Sequence, residues 1–244
     1  MNNAKKILLI FVTLIILLIV WGICSIIMSF MKINKIIIDG EVKYTESQIT
    51  EVCEIEVGMR VNDIDTDDIE KRLIEGLTYI SKVKVKCSFF GNIKIYITED
   101  VAKYYTQISE GYFCLSSDFR LLEMSTDKQK FSDLMYIELP AVKSAIVGNM
   151  VSYYDETSGE LVRLFVSDLN NSILNNKIIS VDASEKYNLS VSCIDYDVIF
   201  GAYKDIETKL GYVELMEKDS VVKEREGVIF DVSNTESATI KFKK

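Results

Sequence analysis

The sequence predicts an α+β protein with one N-terminal transmembrane helix followed by two units that each combine a β-sheet with helices. Three observations lead to this fold class. Residues 7–31 form a run without a charge or a proline. Residues 32–100 show the succession strand, helix, helix, strand, strand. Residues 101–244 contain many short alternating strands and two helical stretches, which indicates a second mixed sheet with flanking helices.

The apolar run 7–31 is long enough to cross the roughly 30 Å hydrocarbon core of a bilayer as a helix. Lys5 and Lys6 precede this run and no acidic residue does, so the positive-inside rule places residues 1–6 in the cytoplasm. A cleaved signal peptide would have a shorter apolar core and a cleavage site between small residues, which this run lacks. We therefore expect a single-pass type II protein of the plasma membrane, with residues 32–244 outside the cytoplasm.

The exported residues are acidic, since they contain 26 of the 28 Lys and Arg residues and all 37 Asp and Glu residues. This balance argues against a nucleic-acid partner, which requires a basic surface. The chain has no histidine, which excludes Ser-His-Asp and Cys-His catalytic systems and histidine-bound zinc. The exported cysteines are far apart and form no C-x-x-C pair, so no metal or other cofactor is expected. Whether any of them pair stays open: Cys53, Cys87, Cys114, Cys193.

The first exported unit has local signals for each of its elements. Thr45 and Gln48 have the spacing of a capping box at the start of one helix, and Asp65 is placed to cap the next. Two period-2 runs at 82–87 and 93–98 flank a Gly-Asn turn, which predicts an antiparallel hairpin with one buried face.

The second exported unit is expected to alternate strands with two helices, at about 159–174 and from Asp205 onward, where Asp205 is the predicted cap. Gly201 is expected to end a strand with a φ that only glycine tolerates. Lys209 is expected to be solvated, with binding of a partner carboxylate as the alternative. Strands are predicted at 103–108, 111–115, 119–123, 178–182, 189–193, 198–200, 228–232 and 238–242.

Two phrases of the sequence resemble the bacterial division proteins FtsQ and DivIB. The phrase VKVKCSFFGNIKIYITED at 83–100 resembles the last two strands of their POTRA domain, V-x-V-x-R-x-x-P-x-x-L-x-I-x-V-x-E, with Cys87 and Gly91 departing from the usual Arg and Pro. Residues 198–233 resemble their strand ending in Gly, helix with L-x-x-K-L and I-D-[VL]-S phrase. The resemblance covers nearly the whole chain. It implies a POTRA domain at 32–100 and an FtsQ/DivIB-type β domain at 101–244.

The resemblance also implies a function and partners. FtsQ and DivIB are non-catalytic scaffolds of the divisome at the division septum, where they bind FtsL-like and FtsB/DivIC-like bitopic proteins. Through them they are linked indirectly to the septal peptidoglycan synthases. An export or assembly factor with a POTRA domain is the alternative, although such a protein more often has several POTRA units or a barrel after them.

An enzymatic function is not expected, because the candidate catalytic patterns are weak. The S-x-x-K pattern of penicillin-binding enzymes occurs outside the apolar run without its S-D-N and K-T-G companions, at a frequency that chance explains. Asp195 and Asp197 could imitate a glycosidase pair, but a turn between strands is the simpler interpretation. The three S-x-x-K matches are Ser81/Lys84, Ser125/Lys128 and Ser220/Lys223.

The last two predicted strands are the candidate binding site for a partner. If the final strand lies at an edge of the sheet, its unpaired N–H and C=O groups can accept a strand from another protein. Lysines on that strand would oppose self-pairing and attract an acidic segment. The residues proposed to bind the partner are Phe230, Val232, Ala238, Thr239, Ile240, Lys241 and Phe242.

Overall fold

The structure is a computed structural model that describes residues 3–41, 43–88, 90–219 and 225–243, with side chains in the first helix for residues 10–23 and Ser25. The chain divides into two compact units, Met1–Glu99 and Asp100–Lys244. Both units combine strands and helices, which confirms the α+β class.

The chain begins with helix α1 (Asn3–Phe30), in which most of the described side chains are exposed. Across the part of the chain that the structure describes, no helical stretch has the length and hydropathy of a membrane span.

The first unit continues with a three-stranded sheet in the order β1-β3-β2, in which β1 is parallel and β2 antiparallel to β3. This confirms the predicted order of elements and the hairpin. Ile93, Ile95 and Ile97 point into the core against helix residues such as Ile69 and Leu73. The elements are β1 (Lys35–Asp39), α2 (Glu46–Cys53), α3 (Thr66–Gly76), β2 (Ile80–Cys87) and β3 (Asn92–Glu99), with a short 3-10 turn at Val61–Asp63.

Both predicted helix caps in this unit are confirmed. The Thr45 hydroxyl accepts the Gln48 amide and the Gln48 side chain accepts the Thr45 amide, which completes the capping box before α2. The Asp65 carboxylate accepts the amides of Asp67 and Asp68 before α3. Each cap satisfies amides that have no partner within the first helical turn.

The second unit is built on a nine-stranded sheet in the order β14-β13-β12-β11-β10-β7-β4-β5-β6, with β8 and β9 forming a separate pair. Its core includes side chains from the sheet and from α4. The elements are β4 (Ala102–Ile108), β5 (Gly111–Ser116), β6 (Leu121–Ser125), β7 (Met135–Glu138), β8 (Val142–Ser144), β9 (Ser152–Tyr153), α4 (Glu156–Asn170), β10 (Ile178–Asp182), β11 (Leu189–Cys193), β12 (Tyr196–Gly201), α5 (Ile206–Glu217), β13 (Val228–Asp231) and β14 (Thr239–Phe242), with a 3-10 turn at Lys128–Phe131.

Several predicted boundaries in the second unit are wrong by a few residues, including the end of α4 at Asn170, and two of them have a local reason. Helix α4 begins three residues earlier than expected because the Asp155 carboxylate accepts the Thr157 amide and caps it. The strand expected from Phe119 begins at Leu121 instead, because Phe119 has a φ of 66° and lies in the preceding turn. A left-handed backbone cannot continue a β-strand.

Candidate partner-binding edge

The structure places the seven predicted partner-binding residues in two different environments. Phe230 and Val232 are fully buried, and the Phe230 ring lies 4.5 Å from the Tyr196 ring, measured between centroids. Their side chains therefore belong to the core and are not accessible to a partner. The other five are half-buried or exposed along the last described strand: Ala238, Thr239, Ile240, Lys241 and Phe242.

The backbone of β14 presents hydrogen-bonding groups on its outer side. The Lys243 amide donates to the Gly227 carbonyl over 2.8 Å, and the antiparallel register continues from this pair. Bonded and non-bonded pairs alternate in an antiparallel ladder, so the N–H groups of Thr239 and Lys241 point to β13. Those of Ile240 and Phe242 point away from it. Among the described strands, β14 pairs with β13 alone.

The two faces of β14 differ in chemistry. On one face, the Lys241 ammonium lies 2.6 Å from the Asp231 carboxylate and the Lys243 ammonium lies 2.5 Å from Asp197. On the other face, Ile240 packs against the core and the Arg225 guanidinium lies 4.7 Å from the centroid of the Phe242 ring. Burial would raise the pKa of Asp231, but hydrogen bonds from Lys241 and Ser233 outweigh it and lower that pKa. Ion pairs with aspartates of β12 and β13 thus fix the positions of the Lys241 and Lys243 side chains.

The turn before β14 is fixed by its own side chains. The Asp231 carboxylate accepts both the amide and the hydroxyl of Ser233, over 3.1 and 2.6 Å. Asn234 accepts the Glu236 amide over 2.9 Å, and the Tyr212 hydroxyl on α5 donates to the Thr235 carbonyl over 3.0 Å. These bonds hold the hairpin that ends in the exposed edge.

Gly201 and Lys209 fix the connection from β12 to α5. Gly201 has a φ of 66°, as predicted, and a Cβ there would lie 2.9 Å from the Ser233 Cβ. The prediction for Lys209 is wrong, because its side chain is only 2% exposed. Its ammonium donates to the carbonyls of Phe200 and Ala202, over 2.8 and 2.7 Å. Burial lowers the pKa of Lys209.

The sequence does contain a signal for the burial of Lys209. Residues 206, 209 and 213 have the i, i+3, i+7 spacing of one helix face, and Val213 is fully buried. The predicted cap Asp205 is also wrong: it has a φ of 51° and its side chain accepts no amide of α5. The Lys209 ammonium instead donates to the carbonyls of the residues on either side of Gly201. It thereby fixes the backbone that leads from β12 into α5.

Comparison with known proteins agrees with this architecture. Residues 31–100 match the family described as "POTRA domain, FtsQ-type". The chain is also 24% identical to the cell division protein DivIB of Clostridium botulinum (strain Loch Maree / Type A3), over 95% of this chain and 89% of that protein. Residues 31–100 thus match an FtsQ-type POTRA domain, and the chain as a whole is similar to a DivIB cell division protein. The match to DivIB covers both compact units, whereas the POTRA match covers the first.

The S-x-x-K candidates do not form catalytic pairs where they are described. Ser81 and Lys84 point to opposite faces of β2: the Ser81 hydroxyl donates to the Thr98 carbonyl, and the Lys84 ammonium lies 3.1 Å from Glu70. The Ser125 hydroxyl accepts the Asp127 amide, and no bond joins it to Lys128 in the described residues. Ser220 and Lys223 lie outside the described residues. Asp197 of the carboxylate pair is engaged by Lys243.

The structure joins none of the four cysteines at 53, 87, 114 and 193 in a disulfide. Cys53, Cys114 and Cys193 are buried, and burial raises the pKa of Cys53 to about 11 and that of Cys193 to about 12. A thiol with a raised pKa is a poor nucleophile at neutral pH. Cys87 is exposed at the end of β2, and burial of part of its side chain raises its pKa as well.

Proposed function

We propose that this protein is a non-catalytic scaffold of the bacterial cell division machinery, and that it binds its partners by accepting a strand along β14. The observation behind the proposal is the row of outward N–H groups at Ile240 and Phe242, on a strand paired only with β13 among the described strands. The match of residues 31–100 to an FtsQ-type POTRA domain and the name of the C. botulinum relative support the cell division role.

The edge suits a short extended segment with one apolar and one acidic face. An added strand would take its backbone bonds from Ile240 and Phe242, and its alternating side chains would lie beside the two faces of β14. Apolar side chains would lie beside Ile240 and Phe242. Acidic side chains would lie beside Lys241 and Lys243, which are more than half exposed in their ion pairs.

We propose that the partners are the small bitopic proteins of the FtsL and FtsB/DivIC kinds, at the division septum. They would link this protein indirectly to the septal peptidoglycan synthases. A scaffold of this kind requires no cofactor, because strand addition uses backbone hydrogen bonds alone.

We propose in addition that the apolar run 7–31, which includes most of α1, is a membrane anchor with residues 1–6 in the cytoplasm. The run without charges and the pair Lys5 and Lys6 support this orientation. Cysteines introduced as Asn3→Cys and Lys243→Cys test it, each in a Cys87→Ser background that removes the exposed native thiol. A membrane-impermeant thiol reagent is expected to label the second variant in intact cells and not the first. The reverse pattern would contradict the proposed topology.

The scaffold proposal is tested by photo-crosslinking in dividing cells. A photoreactive phenylalanine analogue is placed at Phe242 on β14 or, as the control, at Met124, which is half exposed on β6 at the other end of the sheet. Adducts with small bitopic coiled-coil proteins are expected from Phe242 only, identified by mass spectrometry. Adducts with an outer-membrane or export component, or equal adducts from both positions, would contradict the proposal.

A further inference from the structure

The segment that follows α1 is bonded to a loop of the first unit. The Val61 amide donates to the Met31 carbonyl over 3.0 Å, and the Ile33 amide donates to the Met59 carbonyl over 2.8 Å. The Gly58 amide donates back to the Ile33 carbonyl, also over 2.8 Å. The backbone of residues 57–61 is therefore held against the point where the chain leaves α1.

The turn between β2 and β3 is bonded to the same segment. The backbone amide and the side-chain amide of Asn34 donate to the carbonyls of Gly91 and Phe90, each over 2.8 Å. Gly91 has a φ of 75°, and a Cβ on it would lie 2.2 Å from the Lys32 carbonyl oxygen. Only glycine allows this approach, so the position of the turn beside the helix exit is built into the fold.

Three large apolar side chains around this exit are exposed to solvent. The exposed fraction is 74% for Phe90, 64% for Val57 and 39% for Met59. Lys32 and Arg60 are exposed between them and are joined by a β-bridge. Asn34 is four residues beyond the end of α1, which limits its distance from the helix end to roughly 14 Å.

We propose that Val57, Met59 and Phe90 form a lipid-contacting tip that enters the outer interface of the membrane. The inference rests on the proposed anchoring by α1. Exposed apolar side chains gain by burial in the headgroup and acyl boundary, and aromatic side chains are enriched there. Lys32 and Arg60 are placed to meet lipid phosphates. The tip would fix the orientation of the first unit on the membrane surface, which a single flexible connection to a helix would leave free.

Quenching of tryptophan fluorescence by brominated lipids tests the tip on the full chain. The protein is reconstituted into vesicles of phosphatidylcholine and phosphatidylglycerol, with or without bromine on the acyl chains, near the headgroup end for the tip and near the chain ends for Trp21, which is about 15 Å from the end of the apolar run. Trp21, within α1, is the only tryptophan of the chain and reports on the anchor. Phe90→Trp and Val57→Trp report on the tip in a Trp21→Phe background. Lys82→Trp is the matched control, since Lys82 is exposed on β2 five residues before its end at Cys87.

The inference predicts that Phe90→Trp and Val57→Trp lose emission in brominated vesicles while Lys82→Trp does not. Quenching of Trp21 without quenching at positions 57 and 90 would overturn the tip and leave the anchor intact. Absence of Trp21 quenching would overturn the anchor and the tip together. Equal quenching of all three introduced tryptophans would overturn the tip, because it would mean that the whole unit lies against the lipid. Circular dichroism confirms that each variant is folded.

Discussion

The two edge strands of the nine-stranded sheet in the second unit, β6 and β14, have different surroundings. At the β6 end, the Leu121 amide donates to the Asn149 carbonyl over 2.9 Å and the Gly148 amide donates to the Leu121 carbonyl over 2.7 Å. The Arg120 side chain also donates to the Gly148 carbonyl over 2.7 Å. A loop is thus bonded to the start of this edge strand.

At the β14 end, the described residues contain no such loop, and the N–H groups of Ile240 and Phe242 point outward. Exposed strand edges tend to aggregate, and proteins usually cover or charge them. One edge strand is thus bonded to a loop where it begins and the other carries lysines held in ion pairs, a difference that supports the proposal of strand addition at β14. Under the proposed function, partner binding would depend on the backbone of β14 more than on any one side chain.

The edge strand of the first unit gives a second covered example. The Val85 amide points away from β3, and the Glu70 carboxylate of α3 accepts it over 2.7 Å. Glu70 also pairs with Lys84, and the Val85 bond is the main reason that the pKa of Glu70 is lowered. Here a carboxylate from a helix accepts an outward backbone N–H of an edge strand. The outward N–H groups of β14 are donors of the same kind.

The largest expected effect separates the core strand from the edge strand. Phe230→Ala is expected to lower the free energy of unfolding by about 3–5 kcal/mol, because Phe230 is fully buried. Phe242→Ala is expected to cost less than about 1 kcal/mol, because Phe242 is 38% exposed. Denaturant unfolding followed by circular dichroism measures both. Equal losses would mean that β14 is as buried as β13.

Arg120→Ala tests how much the loop contacts at the β6 end contribute to stability. The side chain bonds Gly148 and lies 3.6 Å from Asp100, and both partners would lose it, so a cost of about 2–3 kcal/mol in unfolding free energy is expected. Lys128→Ala, at an exposed position, is the control and is expected to stay within about 0.5 kcal/mol of wild type. Partner binding at β14 is expected to be unchanged. Loss of partner binding in a folded Arg120→Ala variant would indicate that the partner binds at the β6 end, and would contradict the proposed site on β14.

The connection behind the edge is tested with Lys209→Met. This change keeps the apolar stem but removes the ammonium that donates to the carbonyls of Phe200 and Ala202, and Ala202 keeps only the Lys204 amide, so a cost of about 1–3 kcal/mol is expected. Lys204→Met, at an exposed position in the same loop, is expected to cost less than about 0.5 kcal/mol. Thermal and denaturant unfolding compare the two, and an unchanged stability of Lys209→Met would show that the buried ammonium has no structural role.

The smallest expected effect concerns the charged face of β14. The folded pKa of Asp231 is below its unfolded value, so its ion pair with Lys241 stabilises the fold above the unfolded pKa and is lost as the pH falls through the folded pKa. Asp231→Asn is therefore expected to cost about 0.2–1 kcal/mol at neutral pH. The difference from wild type is expected to shrink below about pH 4. A difference independent of pH would mean that the carboxylate charge is not involved.

Local signals in the sequence predict more of this fold than long-range ones. The caps at Thr45 and Asp65 and the hairpin of the first unit follow from spacing and turn chemistry. The position of β7 in the sheet cannot be predicted in this way, because β7 lies parallel to both β4 and β10, which are far from each other in the sequence. Short strands give no signal for such pairing.

The candidate site shows the same limit. Alternation along 238–242 indicates a strand, but the direction of each N–H depends on the register with β13, which the pair of Lys243 and Gly227 reveals. The burial of Phe230 and Val232 depends on which strands flank β13. Lysine is usually exposed, so the sequence predicts a solvated Lys209, but the tertiary contacts with Phe200 and Ala202 override that preference.

The central claim is that the outward backbone of β14 binds the partner, and Phe242→Pro tests it most directly against Phe242→Ala. Both variants remove the ring, but only proline removes the outward N–H without breaking a bond to β13. The measurement is co-purification of the proposed FtsL-like and FtsB/DivIC-like partners with each full-length variant, with folding checked by circular dichroism. Binding to the proline variant is expected to be about tenfold weaker than to the alanine variant, the loss of about 1.4 kcal/mol that one unmatched hydrogen bond causes. Equal binding by the two folded variants would contradict the account.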